Sequence, residues 1–140
     1  MEDRTKEVAK KKKQDAEQYG EWAENYAAEY LCTKGYIIRE RRWVPFVGKG
    51  EIDIIAQMGD EIIFVEVKAR EESLDAAIQS VDSAKKRYIA RGADKYLKYL
   101  DDMHPYRFDI IGIGGTQESP ELEHIEDAFL PPLTSVSRWR

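Results

Sequence analysis

The sequence predicts an α/β fold built on one mixed sheet, with elements in the order α-β-β-β-α-β-β. Three observations predict it. Apolar residues recur at three- and four-residue spacing over 19–34 and again over 83–100, the pattern of a helix with one buried stripe. Between these stretches lie three short runs, two of them rich in Ile and Val, bounded by turn residues, as strands are. The second helical stretch falls between the third and fourth strands, where a crossover allows a mixed sheet covered on both faces.

Each element follows from local pattern. Residues 1–18 form a charged lead-in, helical or frayed. From Tyr19 onward Ala23, Tyr26, Ala27, Tyr30 and Leu31 mark a helix that Gly35 stops. Residues 36–43 are the first strand, followed by the breakers Pro45, Gly48 and Gly50. Residues 51–57 and 61–68 are the second and third strands, joined by the tight-turn pair Gly59-Asp60. A short helical segment over 74–81 breaks at Asp82-Ser83, an N-cap signal. Beyond it Tyr88, Ile89, Gly92, Ala93, Tyr96, Leu97 and Leu100 draw one apolar stripe, and His104-Pro105 ends it. Residues 106–113 read as a fourth strand, Gly114-Gly115 as a turn and 122–125 as a fifth strand, with Pro131-Pro132 closing the fold. The expected organisation is one domain over 19–130, flanked by an extension over 1–18 and a tail over 131–140.

Composition narrows the function. A chain of 140 residues, 42% hydrophobic and 11% aromatic, is long enough to bury one core unaided. Its single cysteine, Cys32, excludes a disulfide framework and a cysteine-based zinc site, and fits a reducing compartment. No run approaches the ~20 apolar residues that span a bilayer, and the first residues lack the apolar stretch of a signal peptide. A cytoplasmic protein without a membrane partner is expected. The formal net charge of −5 argues against a general nucleic-acid coat protein, yet it leaves room for an enzyme with one local basic surface. Basic residues do cluster at Lys10–Lys13, at Arg39, Arg41 and Arg42, and at Lys85, Lys86, Arg87 and Arg91; each cluster alone also reads as a solvated face.

The informative region is Glu51–Lys68. With Gly59-Asp60 as a two-residue loop, Met58 faces Glu61 and Gln57 faces Ile62. The same register places Asp53 opposite Glu66 and Glu51 opposite Lys68, all four on one face. Opposed carboxylates ~5 Å apart repel, and these sit among apolar runs where an unpaired charge is costly. A hard divalent cation relieves such a pair, because Mg²⁺ is held by one or two carboxylates together with water and phosphate oxygens. Lys68 points the same way and is placed to hold a water or a phosphate oxygen. The competing interpretation is a charged edge ladder, with Glu51–Lys68 an ordinary ion pair and both Asp53 and Glu66 in water.

Gly50-Glu51-Ile52-Asp53-Ile54-Ile55-Ala56 followed by Phe64-Val65-Glu66-Val67-Lys68-Ala69-Arg70 resembles the YraN-like family of bacteria. That family is placed in the restriction-endonuclease-like PD-(D/E)xK superfamily, near archaeal Holliday junction resolvases. The resemblance extends to Ala23-Glu24 with Tyr30-Leu31 and Gly35, to Lys85 with Ala93 and Tyr96-Leu97, to Arg107-Phe108-Asp109-Ile110-Ile111, and to Ile125 with Ala128-Phe129. It covers residues 20–130. It implies a restriction-endonuclease-like mixed sheet and a nuclease that uses Mg²⁺ or Mn²⁺, with Asp53 and Glu66 as metal ligands and Lys68 as the catalytic lysine. Glu24 matches an acidic residue that related nucleases use as a further ligand. Ile52 stands where the superfamily name has proline.

The expected function is thus metal-dependent hydrolysis of phosphodiesters in DNA rather than RNA, with branched DNA among the candidate substrates. Arg41, Arg42, Lys85 and Lys86 are candidates for the DNA backbone, Glu51 supports the site, and the resemblance adds a second copy of the chain as a candidate partner. Lys85 has two readings, reaching the acidic site or snorkelling outward. The alternatives are a nucleic-acid-binding accessory protein with this fold and little catalysis, and an interaction domain using the acidic end. His104 and His124 read as surface or packing residues, and Tyr88 and Tyr96 as core.

Overall fold

The computed structural model describes residues 2–130. Helix α1 spans Glu2–Thr33 and strand β1 spans Ile37–Trp43; β2 is Ile52–Met58 and β3 is Glu61–Arg70. Helices α2, Leu74–Gln79, and α3, Ser83–Lys98, lead to β4, Tyr106–Gly115, and β5, Pro120–Ile125. The five strands form one sheet in the order β1-β2-β3-β4-β5. Only the β3–β4 pair is parallel, as the α2–α3 crossover between them requires. The expected α/β mixed sheet with helices on both faces is what forms. The tail and Pro131-Pro132 lie outside the described residues, and no helix among the described residues is long and apolar enough to cross a membrane.

Local chemistry sets the boundaries. At Gly35, with φ +96°, the N–H of Tyr36 reaches back to the Leu31 carbonyl and that of Gly35 to Cys32, a glycine-dependent helix stop. Ser73 Oγ accepts from the Ala76 N–H and Asp82 Oδ1 accepts from the Lys85 N–H, so both crossover helices are N-capped. The lead-in over residues 2–18 is the first half of α1, and residues 3–18 are exposed, so the expected boundary at 18 falls inside a helix. Gly114 remains in β4 instead of forming a turn. A Cβ there would lie 2.5 Å from the Leu74 nitrogen, so glycine lets α2 sit against the strand.

Two apolar layers hold the sheet. Ala23, Ala27 and Leu31 of α1 pack on Ile54, Ala56, Ile63, Val65 and Ile111. On the other face Ile89, Ala90, Ala93 and Tyr96 of α3 pack on Ile52, Ile55, Ile62, Phe64 and Phe108. Each fully buried large side chain contributes about 1.5–3 kcal/mol. These layers also expose an irregularity. Ile54 and Ala56 belong to the first layer, yet Ile52 joins Ile55 in the second, so the alternation of β2 resets at Asp53. On the neighbouring strand Arg42, between the Arg41–Ile54 and Trp43–Ile52 pairs, has φ +51°. Both strands leave regular geometry at the same level.

Candidate metal and nucleic-acid site

The β2–β3 hairpin keeps the expected register from Met58–Glu61 up to Ile54–Val65. There the ladder ends. Asp53 Oδ2 instead accepts the Val67 N–H at 2.8 Å, so a side chain takes the place of a strand–strand bond. The consequence is a correction: Glu51 lies outside β2, and the ladder includes no Glu51–Lys68 pair. The Glu51 carbonyl accepts from Lys85 Nζ at 3.1 Å. Its side chain bears on Arg42, whose pKa is raised first by Glu24 and also by Glu51.

Asp53 and Glu66 do come together. Glu66 is 2% exposed, and its Oε2 is buried with no hydrogen-bond partner. Lys85 Nζ, at 3.6 Å from that oxygen, is too far for a hydrogen bond but close enough for charge to act. Burial, then a proton shared with Asp53 and repulsion by its charge, push the Glu66 carboxyl up to about 9, against the opposing charges of Lys85 and Lys68. A buried carboxylic acid kept neutral beside a second carboxylate is the pattern of a strained acidic pair. The alternative of two water-exposed carboxylates on an edge ladder does not hold for Glu66. Lys85 reaches the acidic pair from the first turn of α3, the first of its two readings.

Glu24 is also buried, but elsewhere in the network. Its Oε1 is held by Arg41 Nη2 at 3.3 Å and Arg42 Nε at 3.1 Å. Among the described residues no three His, Cys, Asp or Glu side chains gather as a metal-holding group. Glu24 is therefore not assembled with Asp53 and Glu66, because two guanidinium groups already claim it. It does line, with Lys68, Lys12, Tyr19 and Arg70, a cleft of about 690 Å³ between α1 and the end of β3. The backbone candidates divide. Arg41 and Arg42 are engaged with Glu24, Lys85 faces the acidic pair, and Lys86 lies over the Phe129 ring at 5.6 Å.

Sequence reasoning missed a second polar network. Asp109, fully buried, accepts from His124 Nε2 at 2.7 Å, from Arg107 Nε at 2.9 Å and from the Asp127 N–H at 3.0 Å. Burial alone raises the pKa of this carboxyl, but these hydrogen bonds outweigh it and hold the group below its ordinary value. Tyr30 meets His124 Nδ1 at 3.2 Å. The network ties β5 and the chain after it onto β4. The Arg107-x-Asp109 spacing puts both residues on one strand face and was its only sequence signal. Tyr96 is core as expected. Tyr88 is not: its ring stands 6.0 Å from Phe46, and its hydroxyl donates to the Gly50 carbonyl at 2.7 Å.

Comparison with known proteins gives a family match that runs from the C-terminal part of α1 into β4. Residues 23–113 match the model of the uncharacterised protein family UPF0102. A UPF0102 protein of Bacteroides thetaiotaomicron is 41% identical over 115 residues, covering 81% of this chain and 93% of its own. One of Phocaeicola vulgatus is 40% identical over 117 residues, covering 83% and 95%. One of Thermodesulfovibrio yellowstonii is 39% identical over 112 residues, covering 79% and 94%. The match therefore runs nearly the whole length of these relatives, and the chain belongs to the UPF0102 family.

Proposed function

We propose that the protein is a metal-dependent nuclease of the PD-(D/E)xK superfamily that hydrolyses phosphodiesters in DNA. One observation carries this reading: a buried Glu66 beside the half-buried Asp53, with an unpartnered carboxylate oxygen and with Lys85 and Lys68 at its flanks. The donor set fits a hard divalent cation, which takes carboxylate oxygens and accepts water and phosphate for the remaining positions. Asp53 and Glu66 would hold Mg²⁺ or Mn²⁺. When bound, such an ion activates a water and offsets charge on a phosphate in transfer.

The chain supplies the rest. The Val67 N–H fixes Asp53 Oδ2, so this carboxylate is oriented before any substrate arrives. Lys68 lines the cleft, where its ammonium holds a water or a non-bridging phosphate oxygen. Lys85 offsets charge around Glu66 from the opposite helix. DNA is preferred over RNA on the resemblance alone, and the cytoplasm is the compartment that the lone, exposed Cys32 fits. A second copy of the chain is the proposed partner for a symmetric substrate.

A second reading, an accessory binding module with this fold and little catalysis, draws support from Glu24. That carboxylate is committed to Arg41 and Arg42 instead of the acidic pair. The deciding experiment is cleavage of linear, flapped and four-way DNA with Mg²⁺ or Mn²⁺. Cutting that Asp53→Asn abolishes supports the nuclease. Binding without cutting by the wild type in either metal assigns the module.

A further inference from the structure

The loop before Asp53 is the least expected part of the molecule, because it is both apolar at its tip and firmly anchored. Val47 is 96% exposed and Val44 49% exposed, yet the residues around them are held. Lys95 Nζ donates to the Pro45 carbonyl at 2.6 Å, and Tyr88 donates to that of Gly50. Pro45 itself is buried against Gly92, where any added Cβ would lie 2.9 Å from the proline ring. A tip of this kind keeps its shape in water without any partner.

Charge surrounds it. Arg91 and Lys95 lie over the Phe46 ring at 5.1 and 5.0 Å. They share α3 with Lys85 and Arg87, and the only acid on that helix, Asp94, is paired with Lys98 at 3.3 Å. In a chain of net charge −5 this is a concentrated basic surface. It is continuous with the acidic pair, because Lys85 bridges the Glu51 carbonyl, at the end of the loop, and Glu66. Apolar side chains flanked by lysine and arginine match a polyanion whose bases are unstacked, where the wedge enters the stack and the cations meet phosphates.

We propose that the loop over residues 44–50 is a wedge for DNA ends and branch points, with Val47 entering the base stack and the exposed Arg91 holding the adjoining phosphate. The preference for ends and branches follows from cost, since unstacking is cheapest where a base is already unpaired or has a neighbour on one side only. The inference rests on the nuclease reading for what happens to the substrate, but not for its recognition. Branched DNA thereby becomes the preferred substrate class, and the wedge is what selects it.

The test uses the full chain, wild type and Val47→Ser, in chelator, on a four-way junction and a linear duplex carrying 2-aminopurine at matched positions. The wild type should brighten the fluorophore at the branch and not in the duplex interior. Val47→Ser should bind without brightening and lose about tenfold of its preference for the junction, the ratio for roughly 1.4 kcal/mol. Arg91→Gln should instead weaken binding to both DNAs alike and reduce the salt slope by about one. Equal brightening in wild type and Val47→Ser, or no junction preference in the wild type, overturns the wedge even where Mg²⁺-dependent cutting is intact. Valine-dependent brightening in a protein that never cuts sinks the nuclease reading and leaves the wedge standing. Capture by anionic phospholipid vesicles without DNA binding assigns the tip to a membrane surface and overturns the proposal.

Discussion

Replacing Glu66 by glutamine should stabilise the metal-free protein, increasingly so as pH rises. The wild-type carboxyl titrates at about 9 when folded against an ordinary 4.5. Between those values the folded state keeps a proton that the unfolded state has released, so stability declines with rising pH. The limiting slope is about 1.4 kcal/mol per pH unit for one proton. Glutamine carries no titrating proton, and its amide can donate to Asp53 at every pH, whereas the Glu66 carboxyl does so only while it keeps its proton. The difference between variant and wild type should therefore be small near pH 5 and grow towards pH 8.5. From pH 5 to pH 7 the slope sets an upper bound of about 2.7 kcal/mol. The cost of one unsatisfied buried acceptor, about 1–3 kcal/mol, falls in the same range. For a domain of this size that is roughly 3–10 °C in Tm. Urea unfolding of both proteins in chelator, at half-unit pH steps, reads the difference directly, because every titration common to the two cancels. Parallel stability curves, or a variant less stable than wild type at pH 8, would refute the strained acidic pair. Lost function alongside gained stability is the expected trade at such a site.

Three further outcomes follow from the same geometry. Mg²⁺ or Mn²⁺ should raise Tm by linkage, about 2.7 kcal/mol at a hundredfold excess over Kd, and Asp53→Asn should remove that rise; equal shifts in both proteins would exclude this site. Lys68→Met should lower single-turnover cleavage by about 10²–10³ while DNA affinity stays near wild type, the loss expected for one donor aimed at developing charge; a parallel fall in affinity would reassign the lysine to binding. At position 42, with φ +51°, Arg42→Gly should be more stable than Arg42→Ala by about 1–2 kcal/mol in thermal unfolding, because only glycine occupies that conformation freely; a more stable alanine variant would show that the strain is absent.

How much of this was legible in the sequence depended on whether a feature is local. The hairpin register was, because Gly59-Asp60 admits a two-residue loop and the pairs from Met58–Glu61 up to Ile54–Val65 follow from it, which brings Asp53 and Glu66 to the same end of the hairpin. The Asp82 cap and the stripe of α3 were legible for the same reason. The Glu51–Lys68 pairing was not, although it follows from the same arithmetic. Arithmetic on a ladder assumes that the ladder continues, and here the Asp53 carboxylate captures the Val67 N–H and ends it. Nothing in the order of residues distinguishes a carboxylate that points into solvent from one that replaces a backbone acceptor. The fate of Glu24 was hidden more deeply, since it turns on the left-handed backbone of Arg42 two strands from Glu66. That residue is an arginine, and positive φ in sequence is read from glycine and asparagine. The anchored loop over 44–50 shows the converse: Pro45, Gly48 and Gly50 read as breakers, which predicts an irregular segment but not a rigid one. Its rigidity comes from Tyr88, Gly92 and Lys95, residues some forty positions away whose role exists only once α3 is packed. The departures from regular strand geometry thus converge on the level of the sheet where Asp53 and Glu66 meet, as expected where local preference yields to a site.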